Sequence, residues 1–100
     1  MIARIWHGWT TPENAKAYEE LLQTEILPGI ERAHGHSVDL LRKDRESEVE
    51  FITVCYFESL DEIKKFAGED FEVAVVPERA RRLLSRFDAR SQHYEVKRGR

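Results

Sequence analysis

Cysteine is nearly absent from this chain: Cys55 is the only one. An internal disulfide is therefore excluded, and a lone thiol suits a reducing compartment, so a cytoplasmic location is expected. Cys55 lies inside an apolar run, which favours a small buried hydrophobe over a nucleophile. Long hydrophobic runs are absent too. Arg4 and His7 interrupt the short apolar start. No stretch approaches the roughly 20 apolar residues of a membrane helix, so neither a signal peptide nor a membrane association is expected. Charge of one sign is lacking: the formal net charge is -3. Bulk attraction to nucleic acid or to an anionic membrane is thereby excluded. The basic run Lys97-Arg98-Gly99-Arg100 is short and reads as a solvated tail. Glycine is sparse, at positions 8, 29, 35, 68 and 99, and none of these forms a phosphate-binding loop. There is no Ser-His-Asp pattern and no cysteine cluster. Kinase, dehydrogenase and zinc-protein chemistry all lack their signatures.

What is present is a globular composition, 41% apolar and 35% charged. It fits one domain over residues 1–96, followed by the basic tail 97–100. The most informative segment is Val49 to Phe57, rich in β-branched and aromatic residues and hence a strand. Val49, Phe51, Cys55 and Phe57 share one face, and Ile52, Val54 and Tyr56 share the other. A strand apolar on both faces is normally covered on both. A chain of this length supplies about one layer of helices, so a second copy of the sheet is the simplest cover for the other face.

Residues 2–9 form another strand candidate. Thr11 as cap, Pro12 in the first turn and Glu13 beside the dipole announce a helix. Ala15, Tyr18, Leu22, Ile26, Ile30 and Ala33 follow at helical spacing. Pro28 interrupts this stripe, where a kink or break is expected, and Gly35 ends it. Residues 36–43 read as a strand. Ser59-Leu60-Asp61-Glu62 has capping-box spacing and opens a helix that Gly68 stops. A short helical turn is expected over 70–76. A longer helix is expected from Pro77, burying Ala80, Leu83, Leu84 and Phe87. A final strand is expected over 88–96. Strand, helix, strand, strand, helix, strand is the βαββαβ order of an α+β ferredoxin-like sandwich, with helices on one face of a four-stranded antiparallel sheet.

This order, with Tyr56-Phe57-Glu58-Ser59-Leu60-Asp61-Glu62-Ile63, Pro28-Gly29 and Phe66-Ala67-Gly68-Glu69-Asp70, resembles the antibiotic biosynthesis monooxygenase group of the dimeric α/β-barrel superfamily. The likeness covers about residues 2–96. It implies a homodimeric barrel built from two facing sheets, without a cofactor. It also implies a quinone-forming chemistry, in which a phenolic polyketide loses a proton and the resulting carbanion attacks oxygen. A non-catalytic binding or interaction module, and a small isomerase or decarboxylase, are also compatible with that fold. The haem-degrading branch uses an asparagine, a tryptophan and an axial histidine. Those places fall at Trp6, Phe66 and Val76 here and none matches, so haem turnover is not expected.

A flat aromatic ligand asks for aromatic walls, a few polar donors and exclusion of water. By the resemblance Trp6 is one wall of a cavity between helices and sheet, with Phe66 opposite, though both also serve as plain core aromatics. Arg4 shares the face of Trp6 and either stabilises an enolate or phenolate or pairs with Glu50. His7 and His93 lie on strands that are neighbours in this fold, and form a proton-transfer or metal-binding pair if the register brings them together. Otherwise His7 makes a structural hydrogen bond on the face opposite Trp6. Tyr18 and Tyr56 carry hydroxyls that either serve a pocket or satisfy a buried acceptor. The catalytic candidates are thus Arg4, Trp6, His7 and His93, and the substrate-binding candidates Trp6, Tyr56 and Phe66.

Overall fold

In the computed structural model, residues 1–99 are described; Arg100, the end of the expected tail, lies outside them. The protein is an α+β fold with an antiparallel five-stranded open sheet. The strands are β1 (Ile2–Thr10), β2 (Asp39–Asp44), β3 (Val49–Phe57), β4 (Leu84–Phe87) and β5 (Gln92–Glu95). The helices are α1 (Pro12–Leu21), α2 (Leu27–His34), α3 (Leu60–Ala67) and the single turn α4 (Glu78–Arg81). The sheet order is β2-β3-β1-β4, with β5 also paired to β1, an order compatible with a ferredoxin-like fold.

The sheet has one covered and one open face, and alternation decides which side chain goes where. Val49, Phe51, Thr53, Cys55 and Phe57 of β3 are all buried beneath the helices. Arg4, Gly8 and Thr10 of β1 share that side and are buried as well. The first core joins Ala15, Tyr18, Leu22, Leu27, Val49, Phe51 and Ala80, and the second joins Cys55, Phe57 and Ile63. Ile5, His7 and Trp9 of β1 and Ile52, Val54 and Tyr56 of β3 lie on the open face and are only partly buried.

The helix starts follow the expected chemistry. The Thr11 hydroxyl accepts from the Asn14 N–H, and the Ser59 hydroxyl accepts from the Glu62 N–H. Pro28 does not break its helix. The residues before it, Leu22–Ile26, widen into a π turn in which the Leu27 N–H reaches the Leu22 carbonyl. The wider turn carries the chain past a residue that has no N–H to donate. Gly35 then closes α2 in the left-handed conformation, φ 78°.

The second half departs from expectation. The helix from Pro77 lasts one turn and lacks a side-chain cap. Leu84 and Phe87 belong to a strand, since their spacing of three fits a bulged strand as well as a helix. The free backbone groups at the Gly8–Thr10 edge of β1 favour pairing. The register shifts between Trp9 and Thr10. The expected strand over 88–96 is shortened to β5, which pairs with Ile2–Ile5. The expected four-stranded sheet therefore has its last edge in two pieces. Residues 70–76 form no helix. They run beside the link between β4 and β5, with Val73 bridging Arg90, Ala74 N–H donating to Ala89, and Ser91 N–H donating to Glu72. Among the described residues no helix is long and apolar enough to cross a membrane.

Candidate functional site

The break in that edge places an opening between the helices and the sheet. A chamber of about 60 Å³ is lined by Arg4 and Trp6 of β1, Thr53 and Cys55 of β3, Tyr18 of α1, Leu22 and Ile26 of the π turn, Phe66 of α3, and Val75 to Pro77 with Ser91. A wider groove of about 350 Å³ continues outward past Ile26, Ile30, Phe66, Val75 and Pro77, all of which also line the chamber. The two volumes are thus the deep end and the mouth of one cleft. The groove lies within the range of small-molecule pockets; the chamber alone is far below it.

Two aromatic residues shape the cleft. The Trp6 indole N–H donates to the Asp88 carbonyl at 2.7 Å, and its ring packs against Phe87 with centroids 5.9 Å apart. The ring lies over Gly8, where a Cβ would come within 3.0 Å of it. Phe66 packs against His34 and Phe57. Its ring is also 5.6 Å from the Arg4 guanidinium carbon, a cation–π contact.

Arg4 is the unusual group. Only 4% of it is exposed, and no carboxylate pairs with it among the described residues. Its guanidinium donates to the Phe71 carbonyl, to the Val73 carbonyl at 3.0 Å and to His93 Nε2 at 2.9 Å. The expected pairing with Glu50 does not form. In the register Arg4 faces Cys55 and His93, whereas Glu50 lies opposite Trp9 on the other side of the sheet. Burial lowers the Arg4 pKa. Burial and the Arg4 charge together hold His93 below the usual imidazole range. His93 is consequently neutral and accepts through Nε2, which leaves the proton on Nδ1, a buried atom without a partner.

Of the residues singled out in the sequence, Arg4, Trp6 and Phe66 meet in this cleft. His93 reaches it only through Arg4. His7 and His93 do not meet, because His93 stands opposite Arg4 while His7 points to the open face. There His7 Nδ1 lies 2.8 Å from Glu50 and holds its carboxyl below the usual range, with Arg45 assisting at 3.6 Å. Tyr56 is on that face too, its hydroxyl donating to Asp39 at 3.0 Å. Among the described residues no group of three His, Cys, Asp or Glu converges to hold a metal.

Thr53 and Ser91 are not among the residues to which the sequence points, and Tyr18 is open there between a pocket role and a buried acceptor. Thr53 had a signal: it is the polar residue on the otherwise apolar, helix-facing side of β3. Ser91 had none, since its position depends on the break between β4 and β5. Burial raises the pKa of Tyr18 and pushes that of the Cys55 thiol up to about 11, so both stay protonated at neutral pH.

No protein-family model, curated protein or solved structure matches the chain.

Proposed function

We propose that the cleft binds a flat aromatic small molecule and that the protein acts on it as a cofactor-independent monooxygenase of the quinone-forming kind. The observation that carries the binding half is the buried, carboxylate-free Arg4 stacked on Phe66 at the deep end of an apolar cleft. A cation held there stabilises an enolate or phenolate more strongly than it would in water. Phe66 supplies aromatic surface in the groove and Trp6 walls the chamber behind it, and the protein need only position the ring, hold its anion and exclude solvent. His34 lines the mouth, 3.5 Å from Glu62, and brings an imidazole to it. The oxygenation half rests on the resemblance to the antibiotic biosynthesis monooxygenase group.

A second reading is a binding protein without turnover. It is favoured by the chamber itself, whose lining contains neither an imidazole nor a carboxylate. Oxygen consumption with an anthrone-type phenol separates the two. Stoichiometric uptake that falls in Trp6→Ala and Phe66→Ala supports the enzyme. Binding without uptake leaves the binding protein.

The same reading includes a homodimer in which a second copy covers the open sheet face, closing a dimeric α/β barrel. Leu41, 53% exposed, and Ile5, Ile52, Val54 and Trp9 form an apolar surface on that face. Arg86 stacks over Trp9 at 3.8 Å and pairs with Glu48, so both charge signs edge the patch and a two-fold mate can match them. Such an interface should bury well over about 1,000 Å² in total. Sedimentation equilibrium at micromolar concentration tests it, and a monomer would contradict it.

A further inference from the structure

The polar groups that line the chamber are all donors or hydroxyls. Arg4 brings a buried cation. Tyr18, Ser91 and Thr53 are 1%, 2% and 8% exposed. No hydrogen bond joins their hydroxyls to another group among the described residues, and none of the three oxygens is sealed from solvent, so each is open to a partner in the chamber that the side chains line. Three such hydroxyls beside one uncompensated guanidinium form a cradle for acceptor oxygens carrying negative charge. The acceptors that hold Arg4 in place, two carbonyls and an imidazole, are neutral and leave its charge uncancelled.

Size narrows the ligand further. About 60 Å³ admits a head group of a few atoms and not a ring, whereas the adjoining groove of about 350 Å³ has room for one. We propose that the cleft takes an aromatic carboxylic acid head first, its carboxylate between Arg4, Tyr18, Thr53 and Ser91 and its flat body against Phe66 in the groove. This rests on the cleft being a ligand site; it assigns Arg4 to a carboxylate in place of a ring oxyanion, and so deepens the binding half of that reading and not the oxygenation half. Tyr18 stays protonated and donates throughout the neutral range.

The test compares 2-naphthoate with its neutral isostere 2-naphthamide at pH 7, by calorimetry or by quenching of tryptophan fluorescence. The wild-type protein should bind the carboxylate at least about tenfold more tightly, the factor expected for charge-assisted over neutral hydrogen bonds. Tyr18→Phe removes one hydroxyl and should reduce that preference about threefold or more. Arg4→Gln should abolish it. If Arg4→Gln does not fold, the wild-type comparison and Tyr18→Phe still decide. Equal or tighter binding of the amide, with both ligands weakened by Phe66→Ala, overturns the carboxylate assignment and leaves the aromatic cleft standing. Binding of neither, or binding insensitive to Phe66→Ala, overturns the cleft along with the assignment.

Discussion

Gly8→Ala perturbs the cleft wall without touching any polar group. A Cβ at Gly8 falls 3.0 Å from Trp6 Cη2, 3.1 Å from Trp6 Cζ3 and 3.0 Å from Leu84 Cδ2. Carbon atoms settle at about 3.5–4.0 Å, so the neighbours must yield by a few tenths of an ångström. Leu84 can shift its methyl. Trp6 cannot do so freely, because its indole N–H is held by the Asp88 carbonyl and its ring is packed on Phe87. The ring must tilt toward the chamber or give up that bond. Overpacking of this kind costs about 1–3 kcal/mol. Gly8 has no positive φ, so alanine is conformationally allowed and regains about 0.4–1 kcal/mol through the unfolded state. Taking the middle of each range, the net loss is about 1.3 kcal/mol, a fall in Tm on the order of 5–10 °C for a domain of this size. Circular dichroism melts check the stability, and aromatic-ligand affinity should weaken in the same variant. An unchanged or raised Tm would refute the packing of Trp6 over Gly8.

Other consequences follow from particular groups. Ile63 is fully buried in the second core, so Ile63→Ala should cost about 2–5 kcal/mol in urea denaturation, and a loss under 1 kcal/mol would contradict that packing. His93 has a depressed folded pKa, so the unfolded state binds more protons below pH 6.5 and stability falls as pH drops through that value toward the folded pKa. Urea midpoints measured from pH 7.5 to 5.5 should decline in the wild type and decline less in His93→Gln; equal slopes would contradict the burial of His93 beside Arg4. Cys55 is buried, its thiol is pushed up to about 11 and it faces a chamber of only about 60 Å³, so a bulky aromatic disulfide reagent at pH 8 should modify it only in denaturant. Rapid native labelling would place it outside the sheet's covered side.

Much of this arrangement is legible in the sequence because it depends on local chemistry. Thr11-Pro12 and Ser59 mark helix starts, and alternation along 2–9 and 49–57 separates Arg4 and Trp6 from His7 and Trp9. The parts that were not legible depend on non-local register. The pairing of Arg4 follows from β5 sitting opposite Ile2–Ile5 and from the 71–73 carbonyls lying across that edge. Leu83, Leu84 and Phe87 match helical spacing, and only the free edge of β1 makes 84–87 a strand. Pro28 signals a disturbance in the helix, but not that a π turn would absorb it and set Leu22 and Ile26 against the chamber.

The proposed ligand site lies between the helices and the sheet. Mapping of amide and side-chain NMR shifts during titration with 2-naphthoate tests it most directly. The largest changes should fall on Arg4, Tyr18, Thr53, Phe66 and Ser91, with Ile52, Val54 and His7 unaffected by the ligand. Shifts concentrated on His7, Trp9 and Ile52, with Arg4 and Phe66 unmoved, would place binding on the open face and contradict the account.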